Sequence, residues 1–420
     1  MIFSRKLNPF EKSCLTSDEF ILFSLEVENP TFIPSIVNNL KKAIYAFNYK
    51  IQGDELIYTP GEIEVHSLPK HIKTCQTSSL YCDEHLLNKY SNGLAAIAAN
   101  DRIITVTVSH MLYDGGFFVD LYNHLFDDPN HSYYFQSDPE RFVTYKLRDM
   151  FTEELKRKNL NFLYQQHLSN YKSLQSIPFS ATIDADAAGN PRCVSHICNI
   201  PAKDLHFSKS KMSLSDMYWT MLPLTCMAFN DSGIEDLGIL TCVDMRKFYG
   251  SQKVNRLVGL NFIELFLSIG GVDPKMTVRQ VGQMFRNKFN EMRNDGTFYG
   301  ALLNMDNGYP SIKNRLLAEI SNVGRFEAKK PISDVFIQQS LNSKDAEWIA
   351  GFSSFSRDVH GENTVTIRLE RAQTALNNLD GEIMTQSFVH SMRDIPPDVS
   401  ILKAYDEIRS FQNKVRQSKA

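Results

Sequence analysis

The residues best suited to chemistry in this chain lie in one short segment, Ser109-His110-Met111-Leu112-Tyr113-Asp114-Gly115-Gly116. A neutral imidazole titrates close to physiological pH and is a good general base, which makes His110 the candidate for moving a proton. Asp114 follows within the same turn. Its carboxylate can orient the imidazole, or it can hold the turn by bonding a cation elsewhere in the chain. Gly115 and Gly116 let the backbone come close to a substrate and adopt angles that other residues resist.

Other chemically suggestive groupings are weaker. Cys193-x-x-His196-x-Cys198 has ligand-type residues, but strand spacing turns Cys193 and His196 to opposite faces and offers no fourth ligand, so no metal is expected. Ser109-His110 has no Gly-x-Ser-x-Gly elbow to accompany it, which argues against a hydrolytic triad. His124 and His131, at a helix end and in a polar loop, read as surface residues. Phe117, Phe118, Phe262, Phe266, Phe285 and Phe289 fall at strand or helix spacing and read as core, with some available to line an apolar tunnel. Gly270-Gly271 is a turn signal and not a phosphate-binding loop.

The elements that must position His110 follow from periodicity. Arg102 to Ser109, dense in β-branched residues, predicts a strand, and Phe117 to Phe126 resumes a helical pattern. His110 therefore sits where a strand hands over to a helix. Glu19 to Val27 predicts a second buried strand. Ile33, Ile36, Val37, Leu40 and Ile44 mark one face of a helix, and Lys50 to Tyr58 reads as strand, turn, strand. The stretch from about Phe142 to Ser173 is charged and helical. Residues 174 to 191 hold Pro178, Gly189 and Pro191 and make the best linker, separating a domain at 1–173 from one at 192–420. In the second half Arg192 to Ile200, Gly238 to Met245 and Leu260 to Ile269 predict strands. Leu214 to Asn230, Thr277 to Met292, Gly381 to Arg393 and Ile401 to Val415 predict helices, the first buried and kinked by Pro223. No internal repeat is present. The order is α+β, or mixed-sheet α/β, in two domains.

Composition narrows the function. The 420 residues are 43% hydrophobic and 22% charged with a formal net charge of -3, a globular balance with no electrostatic bias toward nucleic acid or an anionic membrane. No apolar run reaches the roughly 18–20 residues of a membrane-spanning helix, and the N-terminus lacks a secretory core. The seven cysteines show no paired spacing and read as reduced thiols in a cytoplasmic protein. Ser418-Lys419-Ala420 differs from a peroxisomal address in its last residue and does not change that expectation.

The segment His110-x-x-x-Asp114-Gly115 at a strand end resembles the active-site motif of the coenzyme A-dependent acyltransferase superfamily. That superfamily includes chloramphenicol acetyltransferase, alcohol acetyltransferases, polyketide-associated acyltransferases and peptide-synthetase condensation domains. Further segments agree in order. Arg5-Lys6-Leu7-Asn8-Pro9-Phe10-Glu11 is similar to the opening of the alcohol acetyltransferase branch. Val243-Asp244-Met245-Arg246 is similar to the Val-Asp-x-Arg strand, and Val258-Gly259-Leu260-Asn261 to the segment after it. Ile320-Ser321-Asn322-Val323-Gly324 is similar to the Ser-Asn-x-Gly strand. The Asp-Phe-Gly-Trp-Gly motif of the plant branch is absent, and Ser109 stands where chloramphenicol acetyltransferase has a second His.

This resemblance implies two similar domains, each a mixed sheet flanked by helices, with a tunnel between them in which donor and acceptor meet at His110. It implies that Asp114 pairs with Arg246 to fix the His110 loop. Ser321, Asn322 or a backbone N–H near Gly115 or Gly116 would face the oxyanion. The activity it implies is transfer of an acyl group, acetyl foremost, from acyl-coenzyme A to a small-molecule alcohol or amine. Acyl-coenzyme A would be a co-substrate with no permanently bound cofactor, and the chain is expected to act as a monomer. A carrier-protein-dependent condensation enzyme and a non-catalytic binding protein of the same fold are the alternatives.

Overall fold

The computed structural model describes residues 4–16, 18–87, 93–125, 151–158, 193–206, 210, 212–234, 236–248, 259–306, 318–341, 350–372 and 376–419. The expected linker at 174–191, both domain boundaries, His131 and most of the charged helical stretch lie outside these residues.

Two large mixed sheets carry the molecule. The first holds β2 (Phe20–Val27), β5 (Val65–Ser67), β6 (Ala95–Ala99), β7 (Ile103–Ser109) and β12 (Ile332–Ser340) in the order β12-β2-β7-β6-β5. The second holds β8 (Val194–Pro201), β9 (Asp236–Asp244), β10 (Phe262–Gly270), β11 (Glu319–Phe326), β13 (Ala350–Val359) and β14 (Glu362–Arg371), ordered β10-β9-β11-β13-β14-β8. β11 runs parallel to β9 and β13 while the other pairs of this sheet are antiparallel. A small sheet joins β1 (Ser4–Lys6), β4 (Glu55–Tyr58) and β3 (Tyr49–Gln52).

β2 reads as a continuous apolar run because both of its faces and both of its edges are covered. Every one of its residues is buried, and it pairs antiparallel with β7 on one side and β12 on the other. On one face Phe23 meets Phe118 and Phe326 at 4.9 and 5.9 Å between ring centroids. On the other, Ser24 bonds Ser79 and Thr105 at 2.8 and 2.7 Å, beneath the helix Cys75–His85.

The expected helices near 214, 277, 381 and 401 run Leu214–Asn230, Val278–Asn294, Asn378–Asp394 and Ile401–Lys419. The first is buried from Met217 to Ala228, Pro223 included, because the other three pack against it. Thr277 and Ser213 start two of them with reciprocal capping bonds. No described helix is long and apolar enough to cross a membrane.

Candidate active site

β7 delivers His110 and the turn after it is bolted at both ends. The His110 N–H donates to the Glu19 carbonyl at 2.9 Å, just ahead of β2, and Leu112 N–H closes the turn on the Ser109 carbonyl at 3.1 Å. The Tyr45 hydroxyl donates to the Leu112 carbonyl at 3.0 Å. At the far end, Asp114 N–H reaches across to the Gly259 carbonyl at 2.9 Å. Met111, Leu112 and Tyr113 are fully buried, so the turn is a packed wedge and not a surface loop.

The Asp114 carboxylate belongs to the turn. One oxygen accepts from Phe117 N–H at 2.8 Å, which caps the helix Gly115–Leu125. The other accepts from Asn261 N–H at 2.5 Å and from Arg246 Nη1 at 3.1 Å. Arg246 Nη1 also approaches the first oxygen at 2.8 Å, and both side chains are almost wholly buried. Arg246 faces Asp244 at 3.1 Å and Asp120 at 3.9 Å, and donates to the Gly259 carbonyl at 3.1 Å. Burial works against the Arg246 charge, but Asp114, then Asp244 and Asp120, outweigh it and raise its pKa. Of the two uses open to Asp114, orienting the imidazole or holding the turn, the geometry shows the second.

The glycines differ from the sequence expectation. Gly115 and Gly116 open the helix Gly115–Leu125, and neither has a positive φ. Both pack closely against neighbouring side chains. A Cβ on Gly115 would lie 2.9 Å from Val323, and one on Gly116 would lie 2.7 Å from Arg246 Nη1. Gly259 is tighter still: its Cβ would stand 2.2 Å from the Leu112 carbonyl oxygen.

His110 is partly exposed, its ring 5.7 Å from that of Phe262, and its Nδ1 is buried without a hydrogen-bond partner. Phe262 is thus the phenylalanine of the expected set that faces the site, while Phe117, Phe118, Phe266, Phe285 and Phe289 are core. Ser321 lies beside Cys242, and Asn322 accepts from Ser354 Oγ at 3.5 Å. Val323 carries this strand against Gly115, so Ser321 and Asn322 stand near the helix start, with no hydrogen bond to His110 among the described residues. Burial pushes the thiols of Cys14 and Cys242 well up, and neighbouring carboxylates push them further, so both are neutral thiols and poor nucleophiles.

His196, weighed above as a ligand, accepts from Arg371 Nε at 2.9 Å, which explains it as part of a buried polar contact between β8 and β14. Two residues that the sequence did not flag stand beside the imidazole. Donor atoms of Cys14, Glu19 and His110 lie within 4.8 Å of one another. They are distant from His110 in sequence, and only the pairing of β2 with β7 brings them there.

No family model matches the chain, and no curated protein matches it. Solved structures do. Polyketide synthase associated protein 5 from Mycobacterium tuberculosis superposes with a TM-score of 0.62 at 11% identity, covering 99% of this chain and 99% of that one. The first condensation domain of the calcium-dependent antibiotic synthetase, in complex with a substrate analogue, gives 0.66 at 12% identity over 96% and 99%. A mutant starter condensation domain of rhizomide synthetase, in complex with C8-CoA and Leu-SNAC, gives 0.64 at 12% identity over 95% and 96%. The chain therefore has the fold of the condensation domains and polyketide-associated proteins, the two-lobed chloramphenicol-acetyltransferase-like arrangement that its sequence resembled.

Proposed function

We propose that this protein is an acyltransferase that moves an acyl group from a thioester to a hydroxyl or amine, with His110 as the general base. The observation that carries the reading is the His110 turn, held rigidly by Asp114, Arg246 and Gly259 while the imidazole stays partly exposed beside Phe262. Such a turn spends a buried ion pair on fixing one histidine, which is what positioning a proton acceptor requires.

His110 takes the proton from the acceptor as its oxygen or nitrogen attacks the thioester carbonyl. The tetrahedral oxyanion collapses, the carbon–sulfur bond breaks, and the imidazolium returns its proton to the departing thiolate. Cys14 and Cys242, neutral thiols in the fold, do not serve as nucleophiles in this reading, which takes transfer as direct. Ser321, Asn322 and the N–H groups of Gly115 and Gly116 are the candidates to meet the oxyanion. Acyl-coenzyme A is the donor we assign, with acetyl the first acyl group to try and a small alcohol or amine as acceptor. A carrier-borne donor is the second reading, because condensation domains share the fold.

The test is release of free thiol from acetyl- and longer acyl-coenzyme A in the presence of mixed alcohols and amines. His110→Ala should lower turnover by about 10²–10⁴ with an unchanged melting temperature. A folded His110→Ala protein of full activity would sink the assignment. Thiol release from carrier-bound thioester alone would favour the second reading.

A further inference from the structure

The chain reversal that precedes β2 builds a donor set of three different kinds around the imidazole. The helix Pro9–Thr16 ends, Asp18 takes a left-handed φ of 49°, and Glu19 N–H folds back onto the Cys14 carbonyl at 3.1 Å. The Glu19 carbonyl in turn accepts the His110 N–H. Backbone bonds alone thus place a thiol, a carboxylate and an imidazole together, with their donor atoms within 4.8 Å of one another.

Two further observations point to a cation. His110 Nδ1 is buried with no partner, which a buried ring nitrogen rarely is. The Glu19 carboxylate, gathered with the thiol and the imidazole, supplies the negative charge that a dication would meet.

We propose that Cys14, Glu19 and His110 form a binding site for a zinc-class divalent cation, and that the bound ion switches His110 off. Sulfur, oxygen and nitrogen donors from Cys, Glu and His are the ligand types zinc takes. Bonds of about 2.0–2.3 Å would set the donors roughly 3.3–3.7 Å apart, so rotamer changes of about an ångström close the site. On binding, the Cys14 thiol releases its proton to solvent as the sulfur–metal bond forms. The His110 lone pair passes to the metal and is no longer available to the acceptor's proton. Binding stands apart from the acyltransferase reading; the switching rests on it.

Cadmium added to the full-length protein tests the site directly, through the ultraviolet charge-transfer band of a thiolate–metal bond. One equivalent should bind, Cys14→Ser should abolish the band, and Cys226→Ser, in the distant helix Leu214–Asn230, should leave it intact. Should Cys14→Ser melt early, Glu19→Gln keeps the thiol and should weaken binding by about tenfold or more. A band that survives Cys14→Ser, or none at one equivalent, overturns the site. In the thiol-release assay zinc should inhibit and a chelator restore activity; metal-loaded protein of undiminished turnover overturns the switch. If metal-free protein transfers no acyl group at all, the functional reading fails while the cadmium band still decides the site.

Discussion

Arg246 is surrounded by more negative charge than it can neutralise: Asp114, Asp244 and Asp120 all face one guanidinium. Removing one member of such a buried group leaves the rest uncompensated, so its loss costs more than the pair contributes. Arg246→Leu strands three carboxylates and should destabilise by about 3–5 kcal/mol, read as a lowered urea midpoint. Asp114→Asn keeps one acceptor oxygen, enough for the helix cap at Phe117 N–H but not for Asn261 N–H as well, and leaves Arg246 with two other carboxylates, so it should lose less than Arg246→Leu. Equal losses for the two variants would show that charge is not what holds the turn. Close packing makes a separate demand. Gly116→Ala presses on the Arg246 side chain and should cost about 1–3 kcal/mol, whereas Gly259→Ala meets a backbone carbonyl at a shorter distance and should cost more in a thermal melt.

Among elements, β14 carries the least expected chemistry. Val365, Ile367 and Leu369 face the helices as an ordinary core strand would, but Thr366, Arg368 and Glu370 are just as deeply buried on the opposite face. Glu370 lies 3.2 Å from Arg368, yet burial outweighs that partner, with Asp83 and Glu19 adding repulsion, and its pKa rises from 4.5 to about 7. Between those two values the folded chain holds a proton that the unfolded chain has lost, so stability falls as pH rises from 4.5 toward 7. Glu370→Gln should remove that part of the slope when melting temperature is followed across this range; an unchanged slope would assign it to other groups. The same strand shows where sequence reading stops. β2, β7 and the four long helices of the second half were legible because their apolar periods are strong. A strand that buries arginine and glutamate looks exposed on one face, and the helix Cys75–His85 buries Cys75, Ser78, Ser79 and Cys82, small residues with no apolar period to detect. His110, Asp114 and Arg246 were legible through motifs, while Cys14 and Glu19 join the site only by tertiary pairing.

At the scale of the whole molecule, β12 ties the two halves of the chain together. It follows β11 of the second sheet in sequence, yet it pairs with β2 from Ile332 to Ser340 and covers the edge of the first sheet. Residues 1–173 expressed alone would present the apolar β2 as an open edge, and should form large aggregates by sedimentation where the full chain does not. A soluble, folded fragment would show that β12 is dispensable to the first sheet. The strand exchange also constrains inheritance. A recombination event that replaced only the first part of this gene would set a foreign β2 against the resident β12, and a foreign Asp114 against the resident Arg246. Substitutions in Phe20–Val27 should therefore be matched by compensating ones in Ile332–Ser340, and the two halves of the coding sequence should descend as one unit of selection.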